Sequence, residues 1–176
     1  MQKTVKIRKP RVDDKIPWNI QFALWGTPAV FVAYQLQLYA LLAERPRTLE
    51  QICEAKGLKR RPAEAILSVT TSLGITRLRG GKYALTPTGE EYFVETSATF
   101  FGGELDLTIE NYSAWSIESL KQAVMTDSPR GYGGGEMFKS HDEQAELARK
   151  FTRTMHSASV APASGWPGKL VWQTIA

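Results

Sequence analysis

Cysteine and histidine are almost missing from this sequence. A single cysteine, Cys53, excludes a disulfide within the chain and suits a reducing, cytoplasmic compartment. With only two histidines beside it, a zinc site built from those ligands is excluded. Charge is missing from one long stretch: no residue from 16 to 43 carries any. That run is long enough to span a bilayer, and it follows a basic segment as an anchor would. Pro17, Asn19, Gln21, Gly26, Pro28, Gln35 and Gln37 break and polarise it, which argues against a membrane span. A phosphate-binding loop is also missing. Gly131-Tyr-Gly-Gly-Gly has neither a Walker lysine nor a full G-x-G-x-x-G, and no apolar strand leads into it. It reads as a flexible joint before Phe138.

The net charge is +4 over 176 residues, and all of it sits at the start. Residues 1–15 hold Lys3, Lys6, Arg8, Lys9, Arg11 and Lys15 against Asp13 and Asp14. The remaining sequence is neutral, so the basic character belongs to an arm. A solvated flexible arm is the simpler reading. An arm for nucleic acid or an anionic surface is the alternative.

The richest stretch runs from 36 to 93. Thr48-Leu49-Glu50-Gln51 fits a capping box, in which Thr and Gln each satisfy the other's backbone amide. Gly57 and Gly74 stand where two helices need a left-handed residue to stop. Pro62 fits a first helical turn. Gly80-Gly81 fits a tight hairpin turn, with Ile75, Leu78, Tyr83 and Leu85 giving its flanks a buried side. Thr86-Pro87 starts another helix. Ile66, Leu67, Thr70 and Leu73 share one helical face, as do Leu49, Ile52 and Cys53. These helices are too short to stand alone and must share a core. The pattern predicts a mainly α fold: a winged helix-turn-helix domain with a small two-strand wing, plus additional N- and C-terminal helices.

Around that domain, residues 17–43 read as helical, with a break at Gly26-Thr27-Pro28. Trp18, Phe22, Trp25, Val30, Phe31, Tyr34 and Leu38 present more apolar surface than one small winged helix can cover, which marks an interface. Residues 94–103 read as a loop. A single helix is expected over 104–125, with Leu105, Leu107, Ile109, Tyr112, Trp115, Ile117, Leu120 and Val124 on a buried face. Asp127-Ser-Pro-Arg stops it. Asp142 caps a long helix through about Ala161, striped by Leu147, Phe151, Met155 and Ala158. Pro162 and Gly165-Trp-Pro-Gly end that helix. The chain divides into a basic arm (1–15), a dimerisation helix plus winged helix (16–94), a helical linker (95–165) and a lead-in to a further domain (166–176).

In their order, these stretches resemble the N-terminal half of S-adenosylmethionine-dependent O-methyltransferases of small-molecule pathways. The matching pieces are the uncharged helix, LYALLAERPRTLEQICEAKGL, AEAILSVTTSLGI, GGKYALTPTGEEY and an F-x-x-x-M helix, FTRTMHSAS. The resemblance implies a dimer in which Trp18, Phe22, Trp25, Phe31 and Tyr34 form the interface. It also implies that the 151–159 helix is a lid over the acceptor. Phe151 and Met155 would be apolar walls, and His156 and Ser159 polar contacts. A thioether and a ring suit a flat apolar acceptor. From the residues alone, Phe151 and Met155 at i, i+4 spacing read first as ordinary core positions, and only the resemblance brings the acceptor-wall reading level with that. S-adenosylmethionine is the implied cofactor. The family's donor-binding Rossmann half, with its glycine-rich loop, has no counterpart in these residues, so activity from residues 1–176 alone is not expected.

The sequence supports three functional readings. The first is the dimerisation and substrate-lid portion of an O-methyltransferase, as a homodimer or paired with a catalytic half. The second is a winged-helix DNA-binding regulator, favoured by Lys59, Arg60, Arg61, Arg77, Arg79 and Lys82 near the second helix and wing. Against it, that helix offers only Ser68, Thr71 and Ser72 past Glu64, where base readout usually takes Arg, Lys, Asn or Gln. The third is an inactive partner that dimerises with a full-length relative.

Overall fold

A computed structural model of the chain describes residues 10–128 and 141–164. The helices are α1 (Lys15–Gln35), α2 (Leu38–Glu44), α3 (Leu49–Lys56), α4 (Arg60–Ser72), α5 (Pro87–Tyr92), α6 (Gly102–Glu110), α7 (Ile117–Thr126) and α8 (His141–Ser164). A 3-10 turn, Tyr112–Trp115, links α6 to α7. The strands β1 (Thr76–Arg79) and β2 (Lys82–Leu85) pair antiparallel, with Leu78 opposite Tyr83 and Arg79 opposite Lys82. Among the described residues the fold is therefore mainly α with a two-strand wing, as expected.

Helices α2, α3 and α4 with the wing enclose one core. Leu38, Tyr39, Leu42, Ile52, Leu67 and Leu85 are buried there. The predicted punctuation is present. The Thr48 hydroxyl accepts from the Gln51 amide at 3.3 Å, and the Gln51 side chain accepts from the Thr48 amide at 3.0 Å. At the end of α4 the Gly74 and Ile75 amides donate to the carbonyls of Thr71 and Thr70, a Schellman closure with Gly74 at φ 77°. Gly80 and Gly81, at φ 57° and 73°, make the two-residue turn of the wing. Thr86 caps α5 by accepting from the Gly89 amide at 3.1 Å and donates to the Gly74 carbonyl, tying wing to helix. Gly89 is required for another reason: a Cβ there would lie 2.3 Å from the Ile75 carbonyl oxygen. Buried Thr70 and Thr76 satisfy each other at 2.9 Å.

Several expectations fail at the edges of this core. Leu78 is exposed, because the wing tip projects past the core that holds Tyr83 and Leu85. Leu73 is also exposed, and it covers α1 at Gly26, where a Cβ would sit 3.6 Å from its Cδ1. Leu38 belongs to the core and not to the apolar surface of α1. No break occurs at Gly26-Thr27-Pro28. Helix α1 runs through Pro28, which costs one backbone hydrogen bond while packing of α1 against α4 persists. The break falls instead at Gln37, left-handed at φ 55°. A left-handed non-glycine costs roughly 1–2 kcal/mol, offset here by the burial of Leu38 and Tyr39 directly after it.

The helix expected over 104–125 is two helices. Asn111 caps the end of α6, and the Ser116 hydroxyl accepts from the Ser119 amide at 3.2 Å to start α7. Such serines compete with helix interiors and favour caps. Leu105 and Leu107 are buried as expected, but Tyr112, Trp115, Ile117, Leu120 and Val124 are exposed, Ile117 at 87%. Gly102 and Gly103 open α6 and do not close a loop. Helix α8 continues past Ala161 through Pro162 to Ser164, although Pro162 leaves one carbonyl of the last turn without its helical donor. Asp127, at φ 47°, ends α7 as expected. The glycine run at 131–135, the Leu147 side chain and the lead-in at 166–176 lie outside the described residues. No described helix is long and apolar enough to cross a membrane.

Candidate functional site

Helix α8 carries the predicted acceptor residues, and its two faces differ. One face packs on α6 through small polar groups. The Thr154 hydroxyl donates to the Gly103 carbonyl at 3.1 Å, and Ser157 Oγ accepts from the Glu104 amide at 3.2 Å. Gly103 permits this approach, since a Cβ would lie 2.8 Å from the Arg153 carbonyl oxygen. At about 100° per residue, Phe151, Met155 and Ser159 form a stripe that adjoins this face, with Phe151 about 60° from Thr154. Phe151 is 49% and Met155 41% exposed, and His156 and Ser159 are exposed beside them. The four residues share an accessible surface of α8, so Phe151 and Met155 are not core residues of the described fold.

Helix α1 presents the second feature. Trp18 stacks on Phe22 with ring centroids 5.5 Å apart, and its indole N–H donates to Asp14 at 2.8 Å. Trp18, Phe22, Leu24 and Trp25 are exposed, Trp25 at 61%. Phe31 meets Tyr112 edge-to-face at 5.9 Å, half-buried. A groove of about 450 Å³ runs along α1 between Phe22, Phe31 and Leu73. Exposed apolar surface thus continues from α1 to the 3-10 turn.

A third feature, with no counterpart in the sequence reading, joins the other two. The Tyr34 hydroxyl on α1 donates to Asp106 Oδ1 on α6 at 2.9 Å, and Asp106 Oδ2 pairs with Arg153 on α8 at 3.5 Å. Burial, then the Asp106 hydrogen bond, raises the Tyr34 phenol to about 12. It stays protonated and donating at neutral pH. No local motif links positions 34, 106 and 153, so the sequence holds no signal for this triad. Of the expected interface residues, Tyr34 faces this junction, whereas Trp18, Phe22 and Trp25 face solvent.

The basic cluster is partly spent. Arg60 pairs with Glu50. Among the described residues no group of three His, Cys, Asp or Glu side chains could hold a metal.

These features can be set beside known proteins. The 3-hydroxy-5-methyl-1-naphthoate 3-O-methyltransferase of Streptomyces sahachiroi is 30% identical over 111 residues, 63% of this chain and 32% of that enzyme. The tetracenomycin polyketide synthesis 8-O-methyl transferase TcmO of Streptomyces glaucescens is 25% identical over 156 residues, 88% of this chain and 45% of that enzyme. The chain matches the N-terminal half of S-adenosylmethionine-dependent O-methyltransferases. It spans less than half the length of either relative. Fold agrees: the structure of PigF with SAH superposes with a TM-score of 0.70 at 17% identity, over 88% of this chain and 47% of that one. No protein-family profile matches the chain.

Proposed function

We propose that this chain is the dimerisation and acceptor-lid portion of an S-adenosylmethionine-dependent O-methyltransferase of small molecules. The observation that carries this reading is a pair of uncovered apolar faces on a folded scaffold. The winged-helix core is closed, yet Trp18, Phe22 and Trp25 on α1 and Phe151 and Met155 on α8 stand in solvent. A contiguous patch of that kind calls for a partner surface. Here α1 pairs with a second copy or a full-length relative. The outward face of α8 lies against a flat acceptor, with Phe151 and Met155 as walls and His156 and Ser159 as polar contacts. In the assembled enzyme most of the rate comes from holding an acceptor hydroxyl in line with the donor methyl while a base takes the proton. The donor is held by residues outside 10–164, in the Rossmann domain of that enzyme.

The test is titration of the purified chain with S-adenosylmethionine by calorimetry. No saturable binding is expected at micromolar donor. Micromolar affinity would overturn the assignment of the donor site to another domain. A gel shift with duplex DNA at low salt is expected to show no specific complex. A sequence-specific complex whose affinity falls steeply with salt would instead support the regulator.

A further inference from the structure

A cleft of about 480 Å³ opens where the end of α1, the start of α2 and the segment after α5 meet α6 and α8. Its size is that of a small-molecule site. Three half-buried aromatic residues line it, Tyr34, Phe93 and Phe100, with Tyr34 and Phe100 centroids 6.4 Å apart and the buried Tyr39 ring behind Phe93 at 5.0 Å. Two carboxylates, Glu95 and Asp106, face one guanidinium, Arg153. Asp106 is already engaged by the Tyr34 hydroxyl and by Arg153. Glu95 makes no ion pair among the described residues and leaves the lining one negative charge in excess.

This cleft is not the acceptor face. Arg153 lies two residues from both Phe151 and Met155, roughly 160° around α8 from each at 3.6 residues per turn. A molecule in the cleft and a molecule against Phe151 sit on opposite sides of the helix, with His156, about 60° from Arg153, between them.

We propose that the cleft is a second binding site, for a small organic ammonium ion. Aromatic faces attract a cation whose positive charge is spread over methyl or methylene groups, and Glu95 supplies the formal counter-charge. The other ligand classes fit poorly. An anion would meet Glu95 and Asp106 with only a guanidinium that is already paired. A neutral aromatic would desolvate Glu95 without giving it a partner. The proposal does not depend on methyl transfer, because none of these residues belongs to the acceptor face.

The test compares choline with its uncharged isostere, 3,3-dimethylbutan-1-ol, by calorimetry or ligand-observed NMR on the full chain. Choline is expected to bind at least about tenfold more tightly than the alcohol. Glu95→Gln, a change at an exposed position, is expected to weaken choline about fivefold or more. Phe100→Leu is expected to weaken it as well. Equal binding of choline and alcohol would overturn the proposal. So would unchanged choline affinity in Glu95→Gln, or no binding of choline at tens of millimolar.

Discussion

The winged helix and the helices flanking it obey the same physics but stand at different stages of completion. In the first, Leu67, Ile52 and Leu85 are buried, and caps close the starts of α3 and α5. In the second, α1, α7 and the outer face of α8 carry large apolar residues into solvent. Polar junctions tie α1 and α8 to α6, namely Tyr34–Asp106–Arg153 and the Thr154 and Ser157 contacts. The first region is a finished core. The second leaves large apolar surfaces uncovered.

Substitutions can sharpen that contrast. Leu67→Ala removes a side chain that is 1% exposed and should cost about 2–5 kcal/mol in denaturant unfolding. A loss under about 1 kcal/mol, far below the usual cost of such a truncation, would mean the winged helix is not the stable unit. Gly103→Ala places a Cβ against the Arg153 carbonyl and should cost about 1–3 kcal/mol at the α6–α8 contact. Hydrogen exchange should rise in α8 while the winged helix keeps its protection; a uniform rise would show that the two regions unfold together. Thr48→Ala removes one cap and should cost about 1 kcal/mol, read as a lower denaturant midpoint at unchanged slope.

The smallest effect concerns pH. The Tyr34 phenol is raised in the folded state, so its contribution to stability is complete below about pH 10 and is lost as pH climbs through about 12. Wild-type stability should fall across that window, and Tyr34→Phe should remove part of the fall. Tyr39 and Tyr83, also raised by burial, act in the same direction. Identical profiles for both proteins would remove Tyr34 from the junction.

The same division separates what is legible in the sequence from what is not. Caps, turns and the short helices of the winged helix depend on residues within a few positions of one another, and Thr48, Gly57, Gly74, Gly80 and Thr86 all behave as their chemistry dictates. The flanks are less legible. Pro28 looks like a break, yet one lost hydrogen bond is a modest cost inside a helix packed on α4. Gln37 carries no turn signal of its own, because only the burial of Leu38 and Tyr39 explains its left-handed backbone. The continuous apolar pattern from 104 to 125 hides the serine cap at Ser116. For Phe151 and Met155, spacing alone does not separate a core stripe from an exposed one. Burial of Thr154 and Ser157, with Phe151 and Met155 left exposed, makes that separation.

The most direct measurement is the mass in solution, by light scattering, of the wild-type chain and of Trp25→Asp. Uncovered apolar faces on α1 predict twice the 19.6 kDa of one chain for the wild type. The variant should fall to single chains or aggregates with its winged helix still folded, because the interface would bury an unpaired charge. A wild type that stays at the mass of one chain across micromolar concentrations, or a Trp25→Asp dimer as stable as the wild type, would contradict the account.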